Sequence, residues 1–212
     1  MPSDRQLKVL VFIVLVLTWV IVWIEGQRLS VRSASQAFSY VVTILWALLF
    51  CWNRWLWSWP VIRWLSRRPD LRGTWKGFIQ SDWADPQTGK KAEPIDVYVV
   101  IRQTYSTLDV RLFSRESSSV SLCATLLPDP ENIHRLAVTY LNSPTTLNVE
   151  KSPISHGGML LNVRDNHPVQ QLDGGYWTDR RTKGEIKPAE HAKILCAGFD
   201  SAQRTKFHRN IR

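Results

Sequence analysis

Tyrosine, hydroxyl and arginine side chains alternate along the segment GGYWTDRR, and together they could bind a phosphate-bearing ligand. Tyr176, Thr178 and Arg180 are each two residues apart, so a β-strand would place all three on one face. A guanidinium offers paired donors to phosphate oxygens, and a tyrosine ring under a base contributes about 1–3 kcal/mol by stacking. This set suits a nucleotide better than a fatty acid or a haem.

Residues for catalysis or metal binding form no recognisable motif. The five histidines are scattered, and no His-Glu-x-x-His, Gly-x-Ser-x-Gly or Cys-x-x-Cys pattern occurs. Cys51, Cys123 and Cys196 are too widely spaced for a disulfide framework or a Cys-rich zinc site, and unpaired thiols fit a cytosolic compartment. We therefore predict a binding protein, not an enzyme, with no cofactor and no metal.

From Gly73 onward the chain alternates between apolar and polar residues, which is typical of β-strands. Turn residues separate the candidate strands and no helical pattern intervenes, so we expect antiparallel pairing. A small barrel of roughly eight strands is favoured because closure removes exposed edges; a β-sandwich is the alternative. The predicted strands are Arg72–Trp83, Pro94–Gln103, Thr107–Arg115, Val120–Leu127, Ile133–Asn142, Gly157–Arg164, Leu172–Arg181 and Lys183–Lys187.

Alternation also predicts the inside of this barrel. If the end at which the first strand begins is the bottom, the lower inward positions are apolar and the upper ones are polar. The inward positions predicted for the third and fifth strands are, from bottom to top, Leu108, Val110, Leu112 and Ser114, and Leu136, Val138 and Tyr140. Such a cup, with apolar walls and a few polar groups at its mouth, is typical of a ligand site. The alternative is that Arg180 binds no ligand and only donates hydrogen bonds to neighbouring carbonyl groups. The predicted ligand-binding residues are Ser81, Ser114, Tyr140, Tyr176, Thr178 and Arg180.

Two uncharged apolar segments, Val9–Ile24 and Ala37–Trp52, precede the barrel. With their flanking residues each reaches the roughly 20 residues that cross a hydrocarbon core of about 30 Å. No small-x-small cleavage site closely follows the first segment, so a secretory signal is the weaker interpretation. We predict a membrane α-helical hairpin of two transmembrane helices followed by an all-β soluble domain.

Basic residues flank the outer ends of this hairpin. Under the positive-inside rule they orient both termini toward the cytoplasm, giving a multi-pass protein with a cytosolic barrel. Residues 1–70 hold eight basic and three acidic residues, a net charge of +5 out of the +9 of the whole chain, and topology explains much of this excess. The charge therefore does not predict binding to DNA or RNA. The predicted domains are residues 1–69, the hairpin with its tryptophan- and arginine-rich interfacial segment, and residues 70–212, the ligand-binding barrel.

Small residues recur every four positions along the second apolar segment. Ser39, Thr43 and Ala47 belong to this series, and their spacing puts them on one helix face where backbones can approach closely. The face either packs against the first helix of the same hairpin or forms contacts between protomers.

In combination, these parts resemble a known family. The hairpin, the run WNRWLWSWPVIRWLSRRPD, the strand LRGTWKGFIQSDW and the later GGYWTDRRTKGEI are similar to the two-transmembrane, β-strand-rich effectors of bacterial CBASS (cyclic-oligonucleotide-based antiphage signalling) systems. The resemblance implies a barrel that binds a cyclic dinucleotide made by a partner nucleotidyltransferase. It also implies that binding drives homo-oligomerisation, disruption of the lipid bilayer of the inner membrane, and abortive infection.

Within this resemblance each site residue has an expected role. Arg180 would bind a phosphate, Tyr176 or Tyr140 would stack on a base, and the hydroxyls would bond base edges or phosphate oxygens. Two rival interpretations remain. One is a membrane-tethered, lipocalin-like carrier or sensor of an apolar ligand, and the other is a structural membrane protein whose barrel recruits a protein partner.

Overall fold

The computed structural model describes residues 16, 18–20, 23, 31–59, 68–84, 89–127, 134–150, 152–163 and 171–209. The chain divides into two compact units, Met1–Ile62 and Arg63–Arg212. The predicted division between residues 69 and 70, with a membrane unit before it and a cytosolic unit after it, stays a prediction.

The first unit contains a long apolar helix, α1 (Val31–Arg54), followed by a short 3₁₀ helix at Leu56–Ser58. Among the described residues, Ser35–Arg54 is the one stretch long and apolar enough to cross a membrane. At 1.5 Å per residue the 24 residues of α1 extend about 36 Å. Arg54, in the last turn, complements the negative end of the helix dipole.

The predicted two-helix hairpin is not confirmed as a whole. Residues 16, 18–20 and 23 of the first predicted segment are helical, and the rest of Val9–Ile24 lies outside the described residues. The structure thus supports one of the two predicted spans.

The second unit is an antiparallel β-barrel, as predicted. Each of eight strands pairs with the next, and β1 also pairs with β8, which closes the sheet; the β-sandwich alternative is therefore wrong. A two-residue strand, β9, adds to β8. The strands are β1 (Gly73–Ser81), β2 (Ile95–Gln103), β3 (Leu108–Phe113), β4 (Ser117–Leu127), β5 (His134–Pro144), β6 (Ser155–Val163), β7 (Leu172–Thr178), β8 (Lys183–Ala192) and β9 (His208–Arg209).

Apolar side chains fill the lower half of the barrel. Trp75 is completely buried, and its Nε1 donates to the carbonyl oxygen of Leu71, 3.0 Å away. Beside it, the buried Gln103 accepts from the Leu71 amide and donates to the Pro69 carbonyl, which seals this end with satisfied hydrogen bonds. The apolar inward positions predicted for the third and fifth strands are confirmed, because these residues belong to the core or, in the case of Leu108, pack against it: Leu108, Val110, Leu112, Leu136, Val138 and Tyr140.

A short C-terminal segment covers part of the outer surface. Helix α2 (Phe199–Gln203) follows β8, and Phe199 and Ala202 pack with Cys196 against Tyr98 and Val100 on the outer face of β2. This outer cluster explains why β2 reads as a continuous apolar run: both of its faces are buried.

Candidate functional site

Polar side chains gather inside the upper end of the barrel, opposite the end at which β1 begins. They come from strands that end or begin there, so strand pairing brings together residues far apart in the sequence. Four of the predicted residues lie on this inner wall: Ser81 ends β1, Tyr140 lies near the end of β5, and Tyr176 and Thr178 end β7. The alternation of β1, β5 and β7 thus predicted a group that the fold assembles.

The two tyrosine rings at this site each lie against a glycine on a neighbouring strand. A Cβ atom on Gly157 would be 2.5 Å from Cζ of Tyr140, and one on Gly184 would be 2.8 Å from Cε1 of Tyr176. These glycines leave space for the rings beside the barrel wall. Tyr140 is only 7% exposed, whereas Tyr176 is half-buried, so Tyr176 offers more ring surface to a ligand.

Both phenols are neutral at physiological pH, because the ordinary pKa of tyrosine is about 10 and burial raises it further. Burial raises the pKa of Tyr140 to about 12, with smaller contributions from neighbouring Tyr176 and Asp179. Burial also raises the pKa of Tyr176, while a hydrogen bond with Ser81 opposes this rise. The tyrosines can therefore donate and accept hydrogen bonds without carrying a charge toward an anionic ligand.

Thr178 and Arg180 lie where β7 turns into β8. The hydroxyls of Thr178 and Thr182 are 2.7 Å apart across this turn. The sequence predicted that Arg180 lies on the inward face of a strand, and this prediction is wrong. β7 ends at Thr178, so Arg180 lies exposed in the turn that follows. Its Nη1 donates to Oγ of Ser152, 2.7 Å away. Arg180 thus lies at the rim of the barrel mouth.

Ser114 does not occupy the inward strand position that alternation predicted, because β3 ends at Phe113. It lies in the turn between β3 and β4, where its Oγ is 3.1 Å from Oγ of Ser117 and accepts from the Ser117 amide. These bonds stabilise the turn, which is a common role of serine hydroxyls. Ser114 also lines a surface cavity of about 640 Å³ between this turn and α2.

Sequence reasoning missed three polar residues on the inner wall. Ser119, Asn142 and Ser155 are direct cross-strand neighbours on β4, β5 and β6. Ser119 also pairs with the core residue Leu112, which places the row inside the barrel. Continuing the β5 alternation from Tyr140 by two residues would have found Asn142. The register of β4 and β6 carried no such signal.

The predicted association residues of α1 are exposed. Ser39, Thr43 and Ala47 are all accessible, whereas Ala37 and Val41 are the buried positions. The small-residue face is therefore not the face that this single chain buries. Oγ1 of Thr43 donates to the Ser39 carbonyl, 2.8 Å away, which satisfies its hydroxyl within the helix.

Metal ligands are not assembled in the part of the chain that the structure describes. No group of three or more His, Cys, Asp or Glu side chains there could hold an ion. The chemistry available at the barrel mouth is hydrogen bonding, stacking on an aromatic ring, and contact with the Arg180 guanidinium at the rim.

Comparison with known proteins identifies similarity along most of the chain. A family model described as "Cap15, cyclic dinucleotide receptor domain" matches residues 66–189, which include β1 to β7 and most of β8. The chain is also 28% identical over 179 residues to CD-NTase-associated protein 15 of Staphylococcus schleiferi, an alignment that covers 84% of this chain and 86% of that relative.

Proposed function

This chain belongs to the Cap15 cyclic dinucleotide receptor family of CBASS effectors, and from that premise we propose that the upper mouth of its barrel binds a cyclic dinucleotide. The observation that carries the proposal is the inner wall itself, where two neutral tyrosines and several hydroxyls surround one opening. The ligand would come from a partner nucleotidyltransferase.

Tyr176 supplies the stacking surface in this proposal. It is the more accessible of the two tyrosines, and Gly184 holds its ring against the wall. Stacking on one such ring contributes about 1–3 kcal/mol. Tyr140, nearly buried, contributes its hydroxyl and fixes the shape of the mouth.

Arg180 binds a phosphate from the rim. Its present partner is the neutral hydroxyl of Ser152, and no described residue gives it a carboxylate partner. The guanidinium can therefore exchange a weak neutral bond for a charge-assisted one. Ser81 and Thr178 supply further hydrogen bonds from the wall, and Ser114, in the turn between β3 and β4, approaches only the edge of a bound ligand.

The lipocalin-like alternative has less support. A carrier of an apolar ligand requires a hollow apolar interior, but the lower half of this barrel is filled by buried side chains such as Trp75, Leu136 and Leu161. The remaining opening is polar. The barrel is thus better suited to reception of a nucleotide signal than to storage of a lipid, and its role is binding, not catalysis.

The output of binding is self-association in the inner membrane. We place α1 in that membrane as part of a multi-pass segment with both termini in the cytoplasm, and its exposed small face at Ser39, Thr43 and Ala47 provides a surface for another helix. A ligand that binds the assembled form better than the monomer shifts the population toward assembly. Assembly then disrupts the bilayer and causes abortive infection.

Calorimetry on the full chain in detergent, titrated with a panel of cyclic dinucleotides, tests this function. We expect tight binding to some of them, weakened about 10- to 100-fold by Arg180→Ala or Tyr176→Ala through loss of a charged hydrogen bond or of stacking. Arg204→Ala, which removes an exposed arginine from the C-terminal segment, should bind normally. Absence of binding by the folded protein would refute the receptor function, and normal affinity in both site variants would refute the site.

A further inference from the structure

The row Ser119–Asn142–Ser155 lies nearer the opening than Tyr140 and Tyr176, and its two serines are almost completely buried. Ser119 is 5% exposed and Ser155 is 3% exposed, with Asn142 half-buried between them. Polar side chains this enclosed are normally hydrogen-bonded, because an unpaired buried donor costs about 1–3 kcal/mol. Any polar atom of this row that lacks a hydrogen-bond partner in the protein therefore indicates which donor or acceptor a ligand must provide.

One hydrogen bond fixes the orientation of the Asn142 amide. Oγ of Ser119 donates to Oδ1 of Asn142 over 3.0 Å. The amide oxygen is thus held toward β4, and the amide nitrogen, at the other end of the group, is directed away from it. Among the residues that the structure describes, none accepts from Nδ2 of Asn142, and none bonds the hydroxyl of Ser155.

We infer that Asn142 selects the bases of the ligand by donating from Nδ2 to a carbonyl oxygen on the base edge. This inference rests on the proposed binding of a cyclic dinucleotide at the barrel mouth. Both purines present N7 as an acceptor, so the difference lies at the neighbouring position. Guanine presents O6 there and uracil presents O4, whereas adenine and cytosine present an amino group. An amino group facing Nδ2 would bring two donors together.

Ser119 acts as the positioning residue in this selection. Asparagine can bind adenine through two bonds, but that contact needs its amide oxygen to accept from the adenine amino group. In this barrel the bond from Ser119 occupies one lone pair of the oxygen and holds the oxygen toward β4. The serine therefore biases Asn142 toward bases with a carbonyl group at that edge.

The test measures affinities of the full chain in detergent for cyclic di-GMP, cyclic di-UMP and cyclic di-AMP. We expect the better of the two carbonyl-bearing ligands to bind at least about tenfold more tightly than cyclic di-AMP, the discrimination typical of a base-edge contact. Asn142→Asp replaces the donor by an acceptor, so this ratio should reverse even if overall affinity falls. Ser119→Ala frees the amide oxygen and should bring the ratio close to one.

Asn162→Asp is the matched control. Asn162 lies on β6 between the core residues Leu161 and Val163, and therefore on the outer face; the same substitution there should leave the ratio unchanged. Thermal unfolding of each variant checks that the barrel is folded, and Ser119→Ala provides a second, smaller perturbation if Asn142→Asp is unstable.

The outcomes separate this inference from the function on which it rests. Tight binding with an adenine preference in the unmodified chain, or a carbonyl preference that survives in both Asn142→Asp and Ser119→Ala, would overturn the role of Asn142 and leave the receptor function standing. If the folded chain binds none of the three ligands or any other cyclic dinucleotide, the proposed function itself fails and this inference with it.

Discussion

Single residues at the barrel mouth are constrained by backbone approach as much as by side-chain chemistry. The rings of Tyr140 and Tyr176 lie against Gly157 and Gly184. The orientation of both rings therefore depends on the absence of a Cβ atom at these two glycines. Gly77 allows a close backbone contact. A Cβ there would be 2.3 Å from the Lys187 carbonyl oxygen, at the point where the pairing of β1 with β8 shifts register. Glycine at these sites is a packing requirement.

Gly157→Ala should disturb the Tyr140 ring. The new Cβ would lie 2.5 Å from the ring, so the ring or the strand must shift, and we expect a loss of about 1–3 kcal/mol in the free energy of unfolding, the usual effect of overpacking. Chemical denaturation of the full chain in detergent measures it. Gly175→Ala is the control, because its Cβ would be 3.6 Å from the nearest atom, the Gly184 carbonyl oxygen; equal losses in the two variants would contradict the argument.

His191 gives the bottom of the barrel a pH dependence. Its ring centroid is 4.3 Å from that of Trp75, and its Nε2 is 3.0 Å from the Arg72 carbonyl oxygen. Burial lowers the pKa of His191, and the carbonyl contact opposes this. The folded state therefore binds a proton less readily than the unfolded state, whose pKa is about 6.5. The stability is present above that pH and is lost as the pH falls through the lower, folded-state pKa.

We expect His191→Gln to reduce this loss. Thermal melting of the full chain between pH 7.5 and pH 5 should show a smaller decrease in Tm for the variant than for the unmodified protein, because one protonation linked to unfolding is gone. Parallel curves for the unmodified chain and His191→Gln would assign the acid sensitivity to other groups.

At the scale of elements, α1 presents different faces for different contacts. Ala37 and Val41 are buried, while the small residues at positions 39, 43 and 47 are exposed. Four-residue spacing keeps each set on its own side of the helix. The element can thus pack within the chain through one face and associate through another.

Bulky replacements on the exposed small face should uncouple binding from output. Thr43→Leu and Ala47→Leu prevent close approach of helix backbones, so we expect ligand affinity to stay unchanged while ligand-induced dye leakage from vesicles containing the full chain falls to background. Leu49→Phe adds bulk on a different face and should leave leakage intact. Joint loss of affinity and leakage would indicate misfolding, and unchanged leakage would exclude this face from assembly.

For the whole molecule, the two units must be connected energetically if binding in the barrel is to alter the membrane. A ligand shifts an equilibrium only by its differential affinity for the two states, and a change from 1% to 99% assembled requires about a 10⁴-fold difference. In the proposed mechanism the barrel must therefore bind its ligand much better in the assembled form than in the monomer.

Sedimentation of the full chain in detergent tests that connection. We expect the assembled fraction to rise with the concentration of the preferred cyclic dinucleotide, and to remain low for Ala47→Leu at the same occupancy of the barrel. Assembly that is already complete without ligand, or that is insensitive to it, would contradict a ligand-driven mechanism.

The sequence by itself determined the features that depend on local pattern. Two-residue alternation and turn residues predicted all eight barrel strands and the apolar inward positions of the third and fifth strands, because side-chain direction in a strand follows from short stretches of chain. The group of Ser81, Tyr140, Tyr176 and Thr178 was found in the same way. An uncharged apolar run predicted the helix at Ala37–Trp52 in the same local way.

Only the tertiary structure decided the features that depend on partners distant in sequence. Register across β4, β5 and β6 produced the row Ser119–Asn142–Ser155. The turn after Thr178, in which Arg181 has a positive φ of 61°, moved Arg180 from the inner wall to the rim. Register and turn geometry are set by cross-strand hydrogen bonds and packing, which join residues that the linear pattern cannot relate.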